Sequence, residues 1–249
     1  MKRVVLGLSG GVDSAVAAYL LKKQGYEVIC VFMRNWDSSL NNDVLGNPNN
    51  NNDVCPQEED YNDAVKTAQH LGLEIRRVDF IKEYWDEVFT YFLDEHKQGR
   101  TPNPDILCNK HIKFKAFLNY AKSIHADWIA TGHYARIEKL ENGRYALRMS
   151  KTSAKDQTYA LYNLTQDQLS RTLMPVGEYE KEEIREIAKR INLKVANKPD
   201  SQEICFVSDN DYASFVENEI GKRMPEGNFV TADGEILGKH KGILHYTIG

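Results

Sequence analysis

Six residues, Ser9-Gly10-Gly11-Val12-Asp13-Ser14, stand between a short apolar run and an amphipathic segment, and they constrain this chain more than any other feature. Val4 to Leu8 is aliphatic and long enough for a buried strand. Beyond the glycine turn, Val12, Val16, Tyr19 and Leu20 recur at helical spacing, and Gly25 closes that helix. Val28 to Met33 reads as a second strand, Glu74 to Phe80 as a third and Trp128-Ile129-Ala130 as a fourth. Helical patterns fill the gaps: one from Glu58 to Leu71, one carrying Trp85, Val88, Phe89 and Phe92, and one carrying Phe114, Phe117, Leu118 and Ala121. Strands separated by helices imply an α/β fold, a doubly wound parallel sheet covered on both faces.

The turn itself suits an anion. Gly10 and Gly11 let backbone N–H groups approach without Cβ interference, the helix N-terminus adds positive partial charge, and Ser9 and Ser14 supply hydroxyl donors. Asp13 is out of place in a phosphate cradle because its charge repels the ligand, which points to Mg²⁺ entering with a nucleotide. A tight βα turn with Asp13 and Ser14 capping the helix accounts for the same residues, so the two glycines alone leave both readings open.

Bulk properties narrow the class. The 249 residues are 41% hydrophobic and 27% charged, ordinary for a globular protein, and suffice for one large domain plus a smaller one. No apolar run approaches the eighteen or so residues that span a bilayer, and the N-terminal stretch is too short for a signal peptide, so the expected place is the cytoplasm, with no membrane partner. A net charge of −4 argues against nucleic acid, but phosphate contacts need only a local basic face. Lys110-His111-Ile112-Lys113-Phe114-Lys115 is one such concentration, equally readable as a solvated helix face. None of Cys30, Cys55, Cys108 and Cys205 forms a C-x-x-C pair, so no structural metal site or tightly bound metal is expected.

The stretch from Asp37 to Asp53, with four consecutive asparagines at 49–52, is polar and low in complexity and reads as a mobile insertion. From about Arg136 the pattern shifts toward a smaller α+β unit: a strand at Arg144 to Arg148, a helix with Ile184, Ile187, Ala188 and Ile191 on one stripe, and another with Tyr212, Phe215 and Val216. The division expected is a nucleotide domain over 1–137, extended to about 205 by catalytic loops, then the start of a second domain over 206–249. The last residues, Gly242 to Gly249, read as a strand that the chain leaves unfinished.

Two strings handle thiols. In Thr101-Pro102-Asn103-Pro104-Asp105-Ile106-Leu107-Cys108-Asn109, two prolines stiffen a loop that delivers Asp105 and Cys108 beside a basic helix beginning at Lys110. A thiol just ahead of a helix N-terminus and near lysines should be richer in thiolate, although a packed cysteine is the commoner fate. Asp200-Ser201-Gln202-Glu203-Ile204-Cys205-Phe206 places a second thiol among polar neighbours. Adenylation of an oxygen followed by persulfide attack is a coherent route to oxygen-for-sulfur exchange, with a partner thiol releasing the transferred atom. Cys30, within a strand, reads as packing, and Cys55 carries no role.

S-G-G-V-D-S at 9–14 resembles the pyrophosphatase loop of N-type ATP pyrophosphatases and lacks the G-K-[ST] ending of a Walker A loop. With G-R-T-P-N-P-D-I-L-C-N at 99–109, A-T-G-H-Y-A-R at 130–136, K-D-Q at 155–157 and D-S-Q-E-I-C-F at 200–206, the chain resembles the bacterial tRNA-specific 2-thiouridylases along its whole length. The resemblance implies an adenine-nucleotide α-hydrolase-like fold, with the family's C-terminal β-barrel lying beyond Gly249. It implies an enzyme that uses ATP with Mg²⁺ to thiolate the wobble uridine of tRNA, releasing AMP and pyrophosphate. The sulfur would come from a protein persulfide donor, a sulfur carrier or a cysteine desulfurase. It further implies that Gly7, Leu8, Ser9, Gly10, Gly11, Val12, Asp13 and Ser14 bind the ATP phosphates and that Met33 and Gly132 contact adenosine. Cys205 would carry the persulfide, Cys108 would be the partner thiol and Asp105 the acid/base. Asn103 and Pro104 would flank the target base, and His133, Lys155, Asp156 and Gln157 would touch tRNA. The residues keep plainer readings beside these: a loop histidine at His133, a core Met33, a turn at Asp156 and a solvated Lys155. The loop would also serve an amide- or guanidino-forming ATP pyrophosphatase, or a module that only senses ATP, but then the cysteine strings have no purpose.

Overall fold

Period-two alternation inside unbroken apolar runs decides the architecture. The computed structural model describes residues 1–37, 56–200 and 212–246; the Asn-rich stretch, Cys55 and Cys205 lie outside the described residues. Strand β1 (Arg3–Gly7) leads through the glycine turn to α1 (Val12–Lys23), and β2 (Glu27–Arg34) follows. Gly25, just past the end of α1, has φ +85°, the left-handed stop expected of it. Helix α2 (Pro56–Leu71) and β3 (Glu74–Asp79) complete the first half. Helix α3 (Ile81–Tyr84) widens into a π-helical turn at Trp85–Phe89 and continues as α4 (Thr90–Lys97). Helix α5 (Pro104–Leu107) likewise runs through a π-helical stretch, Cys108–Ala116, into α6 (Phe117–Ser123), which leads to β4 (Trp128–Ala130).

A hairpin of β5 (Ala135–Lys139) and β6 (Tyr145–Met149) precedes α7 (Gln166–Ser170) and β7 (Thr172–Leu173). Helices α8 (Lys181–Arg190) and α9 (Tyr212–Ile220) follow, then an antiparallel pair, β8 (Gly227–Val230) and β9 (Ile236–His240).

The central sheet is parallel, in the order β3-β2-β1-β4-β7. Val4, Leu6, Val28, Cys30, Phe32 and Ala130 face one buried layer, with α1, α2 and α8. Val5, Ile29, Val31 and Ile129 face the other, with the helices between β3 and β4 and with α9. Alternate residues of β1, β2 and β4 thus meet different helices, which is why these strands read as continuous apolar runs. The chain builds outward from β1 to β3, then crosses to β4 on the other side of β1. The switch point of a doubly wound sheet therefore lies between β1 and β4, where such folds open a crevice at the carboxyl ends of the strands.

Three expectations need correction. The helix expected at Lys110 begins at Pro104, because the Asn103 side chain caps it by accepting from the Asp105 and Ile106 amides. The α8 stripe belongs to the main core, since Ile184, Ile187 and Ala188 pack in the layer of α1. Within the closing apolar run, Ile243–His245 forms a 3₁₀ turn with Leu244 buried, and 247–249 lie outside the described residues. Strand β7 escaped notice because two residues carry no periodicity.

Ile129 is fully buried at the centre of the sheet. Ile129→Ala is expected to cost about 2–5 kcal/mol, because the surrounding helices cannot collapse into the space left behind; urea unfolding of the two proteins measures it.

Candidate active site

The glycine turn sits at the switch point and is held from three sides. Gly10 has φ +81°, and a Cβ there would lie 2.3 Å from the Asp60 carbonyl oxygen of α2, so only glycine fits both the conformation and the space. Gly132, just beyond β4, approaches the loop so closely that a Cβ would stand 2.9 Å from the Ser14 amide nitrogen. Gly7 does the same toward Met33, with 2.9 Å to the methionine methyl. Of the residues expected to bind ATP, Gly7, Ser14, Met33 and Gly132 are thereby brought together around one loop. The Ser9 and Ser14 hydroxyls lie 3.1 Å apart, and Ser14 Oγ also donates to the Gly11 carbonyl. Leu8 and Val12 are buried and anchor the loop from beneath.

Asp13 resolves differently from its sequence reading. Its carboxylate receives Lys181 Nζ at 2.8 Å on each oxygen and the Tyr134 hydroxyl at 2.8 Å. The cation that balances Asp13 is therefore a lysine of the chain. The Asp13 oxygens are engaged by Lys181 and Tyr134, and no group of three or more His, Cys, Asp or Glu side chains placed to hold a metal ion occurs among the described residues. Burial, and after it the Asp13 charge, pushes the Tyr134 phenol far up, which keeps it a donor. Lys181 also pairs with Asp200 at 2.7 Å, and Asp200 accepts from Lys155 and Arg185, each at 3.0 Å. Burial alone would raise the Asp200 carboxyl; the hydrogen bonds from Lys181 and Lys155 outweigh it and hold the group below the ordinary range. Two residues earlier, Lys198 bonds Asp60 and Asp63 of α2, both at 2.7 Å. Burial pulls this lysine down, and the two carboxylates raise it by more.

The helix that carries Cys108 rises from the same edge of the sheet. Phe117 lies near Gly7, 3.7 Å from where a Cβ would be, and Phe114 meets the His133 ring at a centroid distance of 5.7 Å. Cys108 is buried nine positions before Phe117, at the start of the π-helical stretch that links them. It stands in the second turn of a continuous helix rather than ahead of its N-terminus, so the dipole argument for its thiolate, which fades within the first turn, loses its basis. Cys30 is a packed thiol whose pKa burial pushes up to about 12.

Asn103 and Asp105 are exposed and Pro104 is buried, and all three line a cavity of about 400 Å³ together with His96, Tyr212 and Tyr246. His96 Nε2 and the Tyr212 hydroxyl are 2.6 Å apart. Burial raises Tyr212 to about 12 and lowers His96.

The remaining expected tRNA contacts are placed unevenly. Lys155 is exposed apart from its pairing with Asp200. Asp156 accepts from the Ser150 and Thr158 amides and the Thr158 hydroxyl, and Gln157 Oε1 accepts from the Tyr134 amide, so both shape their own loop. His133 is buried, with Nδ1 at 2.8 Å from the Thr131 hydroxyl. Burial, reinforced by Lys113, holds its pKa well below the usual value, leaving a neutral imidazole.

Residues 2–209 match the family described as tRNA methyl transferase HUP domain, and residues 213–249 the one described as tRNA methyl transferase PRC-barrel domain. The tRNA-specific 2-thiouridylase MnmA of Lachnoclostridium phytofermentans is 56% identical over 249 residues, covering 100% of this chain and 68% of the relative. The chain belongs to the tRNA-specific 2-thiouridylase family. MnmA of Mycoplasma capricolum subsp. capricolum is 55% identical over 251 residues, covering 100% of this chain and 66% of its own length. The chain thus spans about two thirds of these 2-thiouridylases. A solved 4-thiouridine synthetase–RNA complex with bound ATP shares the fold, with a TM-score of 0.50 and 20% identity over 84% of this chain and 46% of that one.

In this 2-thiouridylase-family chain, Lys181 and Tyr134 are the site residues that sequence reading missed. Tyr134 lies inside A-T-G-H-Y-A-R, but its partner is 121 positions away; Lys181 heads an ordinary charged amphipathic helix, and its contact is separated by 168 positions.

The neutral His133 fixes a pH response. Unfolded, it takes up a proton near pH 6.5; folded, its pKa is depressed, so its contribution to stability is lost as pH falls below about 6.5. His133→Gln is expected to flatten the fall in Tm between about pH 6.5 and pH 5, measured by thermal melts across that range.

Proposed function

We propose that this chain uses ATP to activate the C2 oxygen of a tRNA wobble uridine and then replaces that oxygen with sulfur. Membership of the 2-thiouridylase family supports the reaction class. The single observation that carries the site assignment is that the phosphate loop, Gly132 and the Cys108 helix converge on one edge of the sheet, at its switch point.

In this reading the uridine C2 oxygen attacks the α-phosphate, and pyrophosphate leaves, its charge spread over the loop amides from Ser9 to Ser14. Any Mg²⁺ is carried by the nucleotide's phosphate oxygens, since Asp13 is committed to Lys181 and Tyr134. The terminal sulfur of a persulfide on Cys205 then attacks C2, and AMP leaves with the former C2 oxygen. Cys108 attacks the Cys205 sulfur, breaking its bond to the transferred atom; the two cysteines end as a disulfide and the base as a thiouridine. An external thiol reductant resets the pair, and a protein persulfide donor reloads Cys205.

Three features support the pairing of roles. Asn103, Pro104 and Asp105 line a cavity large enough for a nucleoside, which suits the target base and an acid/base role for Asp105. Cys205 lies five positions beyond Asp200, a reach of at most about 17 Å, and Asp200 is tied through Lys181 to the loop. Seven positions after Cys205, Tyr212 lines the same cavity as Asp105. The flanks of the Cys205 string are therefore fixed at the nucleotide loop on one side and at the base cavity on the other. Lys155 suits an RNA phosphate; His133, Asp156 and Gln157 support the surface from behind.

Mass analysis of tRNA nucleosides after incubation with ATP, Mg²⁺, a persulfide source and this chain is expected to show a new thiouridine. Cys205→Ser should abolish that product while tRNA-dependent release of pyrophosphate continues. Pyrophosphate release with carboxylate acceptors and none with tRNA would overturn the assignment.

A further inference from the structure

Lys181 opens α8 with only 6% of its surface exposed, yet its ammonium serves two carboxylates from distant parts of the chain. It bonds both oxygens of Asp13 at 2.8 Å and Asp200 at 2.7 Å, which uses all three of its protons. The two acids are not equally dependent on it. Asp13 otherwise has the Tyr134 hydroxyl, whereas Asp200 keeps Lys155 and Arg185, each at 3.0 Å, if Lys181 turns away. A nucleotide phosphate entering the loop would bring anionic oxygens beside Asp13 and compete with Asp200 for the same ammonium.

We propose that Lys181 is a positioning residue that couples occupancy of the phosphate loop to Asp200, the first residue of the D-S-Q-E-I-C-F string. Phosphate and Asp200 draw on one cation, so each weakens the hold of the other. By linkage, the coupling runs in both directions: a bound triphosphate loosens Asp200 from Lys181, and a tighter Asp200 contact raises the ATP concentration needed to fill the loop. The inference rests on the ATP reading of the loop but not on the identity of the acceptor.

The test is ATP affinity, measured by calorimetry with Mg²⁺ and without tRNA, together with Tm for each protein. Asp200→Asn removes the competitor and should tighten ATP binding by about three- to tenfold. Lys181→Met should weaken it by about tenfold or more, and Lys181→Arg should retain most of the affinity. In the double variant Lys181→Met/Asp200→Asn, the asparagine should have no effect, because its influence passes through the missing lysine. If Lys181→Met fails to fold, Asp200→Asn alone decides. An affinity within about twofold of the parent in folded Asp200→Asn, or the same change with and without Lys181, overturns the proposal. A parent chain that does not bind ATP sinks both the nucleotide reading and the coupling, whereas ATP binding without tRNA thiolation leaves the coupling standing.

Discussion

A carboxylate in the middle of a glycine turn whose amides suit an anion is tolerable only if a cation meets it, and here the cation comes from inside the protein. Lys181 is desolvated beside Asp13, and Tyr134 closes the remaining approach. Taking an ammonium and carboxylates out of water is costly, and removing one member of such a cluster typically destabilises by about 3–5 kcal/mol. The same three side chains join α1, the segment after β4 and the start of α8, so the loop geometry and the packing of the second half of the chain are set together.

The sheet supplies the rest of the logic. Because β1 lies between β2 and β4, the switch point of the sheet falls beside β1, the place where doubly wound folds open a crevice. Glycines at 7, 10 and 132 allow the loop to pack closely against Met33, the Asp60 carbonyl and the Ser14 amide, and the aromatic stripe of the Cys108 helix reaches the same region through Phe114 and Phe117. On the far side, Tyr212 and the turn at Ile243–His245 bring a later part of the chain against the Asn103–Asp105 loop.

Much of this was legible in the chain itself. Strands β1, β2 and β4 read from apolar runs, because burial on both faces leaves a clear pattern; the half-exposed edge strand β3 read only from Ile75, Val78 and the following Phe80, and the α1 stop read from Gly25. Stripes such as Phe114, Phe117, Leu118 and Ala121 gave the buried helix faces correctly. What could not be read were contacts between residues far apart in sequence. The Lys181–Asp13 pair leaves no local trace, and the helix start at Pro104 was hidden because Asn103-Pro104 also suits a rigid loop. The resemblance implied a tRNA contact for His133 and its local sequence a plain loop histidine; its burial against Phe114, nineteen positions earlier, was legible from neither.

The wide turns between Cys108 and Ala116 set which way the thiol points. Nine steps of about 100° on a regular helix would put Cys108 on the side opposite Phe117. Bonds from i to i+5 slow that winding, and Cys108, Ile112, Phe117 and Ala121 are all buried, as are Asn109, Phe114 and Leu118 beside them. The direction of the sulfur is thus encoded as slack in the backbone spiral, and shortening this stretch by one residue would turn the thiol away from the side that Phe117 occupies.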